Sequence, residues 1–207
     1  RCQVAGCPQY IAGGAIDNDG TIIMSQSTIQ NNLSKTASAI SNSANGKFVI
    51  LNSTIVNNHA TNLLTIVNHS TMHIRNSTIS DNTADNPDFH FVGITNYADL
   101  VVESSTFANA GQNSGILNSS DGDVTVKDSI FLALPAPIAN NCSNSGTWTS
   151  LGYNIYSDAS CPATGTGDLI NTDPLLGFLG SWGGPTKTRG LKPGSPAIDH
   201  RPDDCET

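Results

Sequence analysis

Asn76-Ser77-Thr78-Ile79-Ser80-Asp81-Asn82 is a stretch that the chain comes close to repeating several times. Near copies are Gln26-Ser27-Thr28-Ile29-Gln30-Asn31-Asn32 and Asn52-Ser53-Thr54-Ile55-Val56-Asn57-Asn58. Weaker ones are Ser104-Ser105-Thr106-Phe107-Ala108-Asn109 and Asp128-Ser129-Ile130-Phe131. The repeated serine stands at 27, 53, 77, 105 and 129, in steps of 26, 24, 28 and 24 residues. Self-similarity at this period signals a solenoid or an array.

Aligned on that serine, the chain falls into columns. Five and three residues earlier stand Ile22 and Met24, Phe48 and Ile50, Met72 and Ile74, Leu100 and Val102, Val124 and Val126. Two residues later stand Ile29, Ile55, Ile79, Phe107 and Phe131. Alternation with a period of two describes strands with one buried face. The serine is small enough to share that face beside a corner, while Thr78 and its equivalents point outward. A further column, Ile-x-Asn, holds Ile16 and Asn18, Ile40 and Asn42, Ile66 and Asn68, Ile94 and Asn96, Ile116 and Asn118. Each coil then carries three short strands. Asp19-Gly20, Asn45-Gly46 and Asp121-Gly122 mark turns, read as sites of positive φ.

Three short strands per coil describe an all-β parallel β-helix, a β-solenoid of about five regular coils plus an irregular C-terminal segment. The expected organisation is an irregular lead-in over 1–12, coils over 13–133, and a Gly/Pro-rich closing segment over 134–207 that opens near Pro135 and Pro137. The column Asn18, Asn42, Asn68, Asn96 and Asn118 is assigned to corners, where asparagine tolerates left-handed backbone. Its amides can also bond from coil to coil as a ladder. A single coil has no interior, so stability is a sum over neighbouring coils, and the end coils need covering.

Composition narrows the function classes. Charged residues are 13% of 207, and the net charge is −8 with nine basic residues scattered along the chain. Nucleic acid is excluded as a partner, because phosphate recognition needs clustered Lys and Arg. No run approaches the ~20 apolar residues of a membrane span, so no transmembrane segment is expected in this chain. The chain begins at Arg1 without Met or a signal peptide and reads as a processed or excised segment. Five cysteines favour an oxidising compartment. Cys142 and Cys161 are 19 residues apart, close to one coil, and can meet across adjacent coils or clamp a loop. Cys2 and Cys7 are close enough for a small looped disulfide, although two thiols or pairing with Cys205 also fit. The odd count leaves at least one thiol free or paired elsewhere.

Two parts of the sequence carry a resemblance. The Ser-Thr-Ile repeats, headed by Gly13-Gly14-Ala15-Ile16, resemble right-handed β-helix repeats of autotransporter passengers and polymorphic outer-membrane proteins of bacteria. Ser150-Leu151-Gly152-Tyr153-Asn154, Gly165-Thr166-Gly167-Asp168 and Asp173-Pro174-Leu175-Leu176-Gly177 belong to a second run. It continues with Gly183-Gly184-Pro185-Thr186-Lys187-Thr188 and Pro193-Gly194-Ser195-Pro196-Ala197-Ile198-Asp199. This run resembles the "choice-of-anchor Q" type of secreted bacterial β-helix protein. The resemblance implies a right-handed β-helix, export and surface display, with a cysteine pair at Cys142 and Cys161. It implies no reaction.

Candidate chemistry is thin. Enzymes acting on acidic polysaccharides need clustered carboxylates, often with Ca²⁺ and a basic residue. Asp17, Asp19, Asp81, Asp85, Asp88, Asp99, Glu103, Asp121 and Asp123 stand at unequal offsets, mostly in turns. Arg75, Glu103 and Lys127 share one outward column, which reads as charge pairing between coils. His59, His69, His73, His90 and His200 show no metal spacing. The outward Thr28, Thr54, Thr78 and Thr106 form an array of the kind that can order water, interrupted by Ile130. Asn32, Asn52, Asn68, Asn76, Asn118 and Asn141 lie in glycosylation sequons. The expectation is a structural or adhesive surface protein without catalytic residues, metal or cofactor. Its partners are its own copies, stacked end to end in a fibre or layer, or other surface proteins and glycans. The competing expectations are a polysaccharide-binding or polysaccharide-degrading module, and a non-catalytic part of a larger passenger.

Overall fold

The structure, a computed structural model, describes residues 14–61, 64–85, 93–108, 115–133 and 140–201. Every regular element among them is a strand. The strands stack in parallel into a β-solenoid with three long faces. The first face holds Ile16–Asn18, Ala37–Asn42, Leu64–Asn68, Ile94–Asn96, Ile116–Asn118 and Cys142–Asn144. The second holds Thr21–Ser25, Lys47–Leu51, Thr71–Arg75, Asp99–Glu103, Asp123–Lys127 and Thr147–Ser150. The third holds Thr28–Gln30, Thr54–Val56, Thr78–Ser80, Thr106–Ala108, Ile130–Leu132 and Ile155–Tyr156. Three two-residue strands, Leu33–Ser34, His59–Ala60 and Thr83–Ala84, add a short fourth sheet beside the third face.

The register reproduces the sequence columns. Ile22 pairs with Phe48, Phe48 with Met72, Met72 with Leu100, Leu100 with Val124, and Val124 with Trp148. Residues 142–156 thus form a further rung in register with the five regular ones. One continuous core results, in which Ile40, Ile50, Ile55, Ile66, Ile74 and Ile79 are fully buried. Each such side chain contributes ~1.5–3 kcal/mol by leaving water. On the third face the aromatic side chains stack: Phe107 on Phe131 with centroids 5.0 Å apart, and Phe131 on Tyr156 at 5.1 Å.

Three side-chain ladders hold the corners. Asn18 Nδ2 donates to Asn42 Oδ1 at 2.8 Å, and the pattern continues through Asn68, Asn96 and Asn118 to Asn144. The column called from sequence is therefore one amide ladder, extended by one rung. Its left-handed assignment is wrong: among the described non-glycine residues of the rungs, positive φ falls instead at Gln26, Asn52, Asn76, Ser104, Asp128 and Tyr153, and at Asn31, Asn57 and Asp81. These positions reverse the chain between the second and third faces and just after the third. The second ladder is made of serines. Ser27 N–H donates to Ser53 Oγ, Ser53 N–H to Ser77 Oγ, and Ser77 N–H to Ser105 Oγ, at 3.1–3.2 Å. Ser129 and then Asn154 finish the series. Each serine hydroxyl donates in turn to the carbonyl two residues back, as Ser77 does to Arg75. A third ladder, Asn32–Asn58–Asn82, follows the third face.

The turn glycines serve these ladders. Gly46 and Gly122 lack the positive φ that their dipeptides suggest. A Cβ at Gly46 would stand 2.1 Å from Asn42 Oδ1, and one at Gly122 would stand 2.0 Å from Asn118 Oδ1. Only glycine lets the turn pass over the amide.

The C-terminal end of the rod is covered by the segment 157–172. Asn141 N–H donates to Asp158 Oδ2, and Cys142 N–H to Ser160 Oγ. Leu169 bridges to Ile155, and Tyr156 N–H donates to the Leu169 carbonyl. Cys142 and Cys161 are disulfide-bonded, with Cys161 in the core; closing a loop of this length contributes ~3 kcal/mol. Cys2, Cys7 and Cys205 lie outside the described residues.

Tyr156 tests the end of the aromatic stack. Its ring is fully buried, and its hydroxyl lies near Ser150 and Trp148 without a hydrogen bond of normal geometry. Burial, and then the Asp168 charge, holds the phenol above the ordinary tyrosine range. Tyr156→Phe is expected to melt no lower than the wild type, because it deletes a buried unpaired hydroxyl costing ~1–3 kcal/mol. The unfolded phenol ionises near pH ~10 while the buried one keeps its proton. Wild-type stability therefore declines as the pH rises above that value, and the Phe variant declines less. Thermal melts at neutral and alkaline pH check both points, and a clear drop in melting temperature at neutral pH would show that the hydroxyl is satisfied.

Candidate functional site

Beyond residue 175 the chain turns back and crosses the third face. Leu176–Gly180 and Thr188–Leu191 form the antiparallel hairpin of this strap. Polar contacts between five residue pairs tie it to the second and third rungs. Thr186 Oγ1 donates to the Asn52 carbonyl at 3.1 Å, Thr54 Oγ1 donates to the Lys187 carbonyl, and the Thr78 and Thr188 hydroxyls meet at 2.8 Å. Arg189 Nη2 straddles the Asp81 carboxylate, at 2.7 Å from Oδ1 and 2.8 Å from Oδ2. Its Nε donates to Ser80 Oγ, and its Nη1 to the Gly177 carbonyl. Further along, Arg201 Nη1 donates to Asp128 Oδ2 at 3.0 Å on the fifth rung.

The strap changes the reading of the threonine array. Thr28, Thr54, Thr78 and Thr106 are in register and face away from the core. Thr54 and Thr78 are nevertheless buried, because the strap lies on them. Thr54 and Thr78 are thus a docking surface for the chain's own C-terminal segment, while Thr28 stays exposed and Thr106 half-buried beside it.

Arg189→Ala is expected to cost about 2 kcal/mol, the scale of a charge-assisted hydrogen bond to a carboxylate that stays partly hydrated. Limited proteolysis should then cut the strap faster than the rungs. Unchanged cleavage would mean that the threonine contacts alone hold it.

Between strap and rod lie two neighbouring hollows that together trace a groove along the solenoid axis. One, of about 290 Å³, is lined by Asn52, Asn76, Thr78, Ser104, Thr106 and the strap residues 184–188. The other, of about 270 Å³, is lined by Ser104, Asp128, Tyr153, Ile155, His200 and Arg201, among others. Ser104 belongs to both. Its floor residues Asn52, Asn76, Ser104, Asp128 and Tyr153 are successive members of the positive-φ column, one per rung. At the ~4.8 Å strand spacing they span about 19 Å. In the second hollow Tyr153 and His200 meet edge to face at 6.0 Å, and His200 Nε2 donates to the Gly167 carbonyl at 2.6 Å. Asp128 Oδ1 is buried and has no hydrogen-bond partner.

The other sequence candidates are dispersed. Among the described residues no three His, Cys, Asp or Glu side chains gather in a metal-binding group. The Ser43 hydroxyl and Asn45 amide hold exposed Asp19 below the usual carboxylate range. Arg75, Glu103 and Lys127 are adjacent in register as expected. Their pairing differs: Glu103 meets His73 at 2.9 Å, and Lys127 lies 3.9 Å from Asp128. His59 bridges Thr83 and Asp85, and His69 stacks on Tyr97 at 4.6 Å. Asp88 and His90 lie outside the described residues. The sequons need correction. Asn32, Asn68, Asn118 and Asn141 are buried, the first three inside ladders, so no glycosyltransferase reaches them in the folded protein. Asn76 is exposed and Asn52 half-buried, and both border the groove. No helix among the described residues is long and apolar enough to cross a membrane.

Fold and groove together define a β-solenoid with a self-docked C-terminal strap. No protein-family description, curated protein or solved structure matches the chain.

Proposed function

We propose that this chain is a non-catalytic, extracellular β-solenoid, displayed on a bacterial surface, whose work is structural and adhesive. The observation that carries the reading is the strapped rod itself. Three ladders, one core and the docked strap give a rigid body with a long polar surface. The Cys142–Cys161 disulfide fits an oxidising compartment. Among the described residues the groove is lined by a single carboxylate, Asp128, whereas glycoside hydrolysis ordinarily uses two placed across the scissile bond. Attachment through the side of the rod is favoured over stacking at its C-terminal end, because 157–172 already occupies that end.

The test is direct. Purified protein should bind bacterial cells or a polysaccharide-coated surface while leaving polysaccharides intact, and electron microscopy should show isolated rods. Release of shortened chains would replace the reading with an enzymatic one, and long filaments would replace it with an assembly subunit.

A further inference from the structure

We propose that the axial groove between the strap and the positive-φ corner binds an uncharged oligosaccharide lying along the rod. This rests on the adhesive reading above and names the partner chemistry for it.

The lining is that of a site for hydroxyl-bearing rings. Asn52, Asn76, Ser104 and Thr106 present amides and hydroxyls from successive rungs, and Thr186 faces them from the strap. Repetition at one rung spacing suits a polymer better than a single small molecule. In the second hollow Tyr153 supplies an aromatic face, and Ile155, Ala197 and Leu191 supply apolar walls for the C–H surface of a sugar ring. Its volume, about 270 Å³, lies just below the ~300 Å³ at which small-molecule sites begin.

Asp128 gives the site its directed contact. Oδ2 accepts from Arg201, whereas Oδ1 is buried without a partner. Because Asp128 lines the hollow, a small rotation of its carboxyl brings the unpaired oxygen to an incoming hydroxyl, which recovers the free energy that an unpaired acceptor costs. Since Arg201 balances the Asp128 charge and the whole chain carries −8, an anionic polymer gains nothing from long-range attraction.

A peptide strand is the rival occupant, and the backbone disfavours it. Strand addition needs an unpaired row of N–H and C=O groups. Along this corner the amides are spent between rungs: Asn52 N–H donates to the Arg75 carbonyl, Asn76 to Glu103, Ser104 to Lys127 and Asp128 to Gly152. The groove therefore offers side chains and not a sheet edge.

The experiment titrates the whole chain, by NMR or calorimetry, with gluco-, manno- and xylo-oligosaccharides, an oligouronate and an extended Ser/Thr-rich peptide. One neutral series should bind, more tightly as it lengthens. Asp128→Asn keeps a residue that tolerates positive φ and removes the carboxylate; it should weaken binding about tenfold. Ala197→Phe fills the second hollow from the strap side and should abolish binding of the longer oligomers, with the melting temperature kept. If Asp128→Asn proves unstable through loss of Arg201, Ala197→Phe and shift mapping on Ser104 and Tyr153 decide. Full-strength binding by a stable variant, preference for the oligouronate, or capture of the peptide alone would overturn the proposal. Adhesion to cells with no response to any oligosaccharide would overturn the groove assignment and leave the adhesive reading standing.

Discussion

Ile79→Asp is expected to abolish the cooperative fold. Ile79 is fully buried and lies in register between Ile55 and Phe107. The substitution removes ~1.5–3 kcal/mol of side-chain burial and sets a carboxylate in an apolar column, at a further several kcal/mol. Together these approach the whole stability of an ordinary domain, ~5–15 kcal/mol. The damage also spreads, because each rung is buried only by its neighbours. Circular dichroism should show loss of sheet signal or a melt shifted far down. Thr78→Ser, one residue away, is the control. Thr78 faces outward but is sealed under Thr188, so the change keeps the hydroxyl contact and loses one methyl, about 1 kcal/mol. Comparable losses from both substitutions would refute the assignment of faces.

The second large effect belongs to the amide ladder. Asn96 Nδ2 donates to Asn118 Oδ1, to the Ala98 carbonyl and to the Asp123 carbonyl, and its Oδ1 accepts from Asn68. Asn96→Ala leaves the Asn68 and Asn118 amides and the Ala98 carbonyl short of partners inside the ladder. A loss of about 3 kcal/mol or more follows, since each stranded polar group costs ~1–3 kcal/mol. Asn144→Ala removes the exposed last member of the ladder, which accepts from Asn118 and donates to the Gly146 carbonyl, and should cost about 1 kcal/mol. Urea unfolding of the two variants separates them, and equal midpoints would mean that the amide ladder does not stabilise the interior more than the end.

The rungs were legible because they recur. Ile22, Phe48, Met72, Leu100 and Val124 share a column in sequence for the same reason that they share one in space: each must cover the next. The Asn18-to-Asn118 column was visible by the same logic, yet its backbone was misread, since asparagine serves both ladders and left-handed turns. The left-handed column mixes Gln26, Asn52, Ser104, Asp128 and Tyr153, so residue type alone does not mark it. The strap left no periodic trace. Arg189 reaches Asp81 across 108 residues and Arg201 reaches Asp128 across 73, each contact occurring once. For that reason the groove, which needs the strap as a wall, was hidden, and the threonines beneath it looked open.

The three corners of the rod differ in how much chain they accept. From the second face to the third, the interval between core positions is constant over the five regular rungs: Phe48 to Ile55, Met72 to Ile79, Leu100 to Phe107 and Val124 to Phe131 are each 7 residues, and it lengthens to 8, Trp148 to Tyr156, only in the closing rung, where Asn154 stands in place of the serine. The serine ladder passes through this corner, and one extra residue would throw every hydroxyl out of line. From the first face to the second the interval is 6 or 8, as in Ile66 to Met72 and Ile40 to Phe48, under the amide ladder. From the third face back to the first it ranges from 9, Phe107 to Ile116, to 15, Ile79 to Ile94. Most of the irregularity of the repeat is absorbed there. That edge is where new peptide can be inserted into the rod, and where a lineage can lengthen loops without disturbing either the core or the groove on the opposite corner.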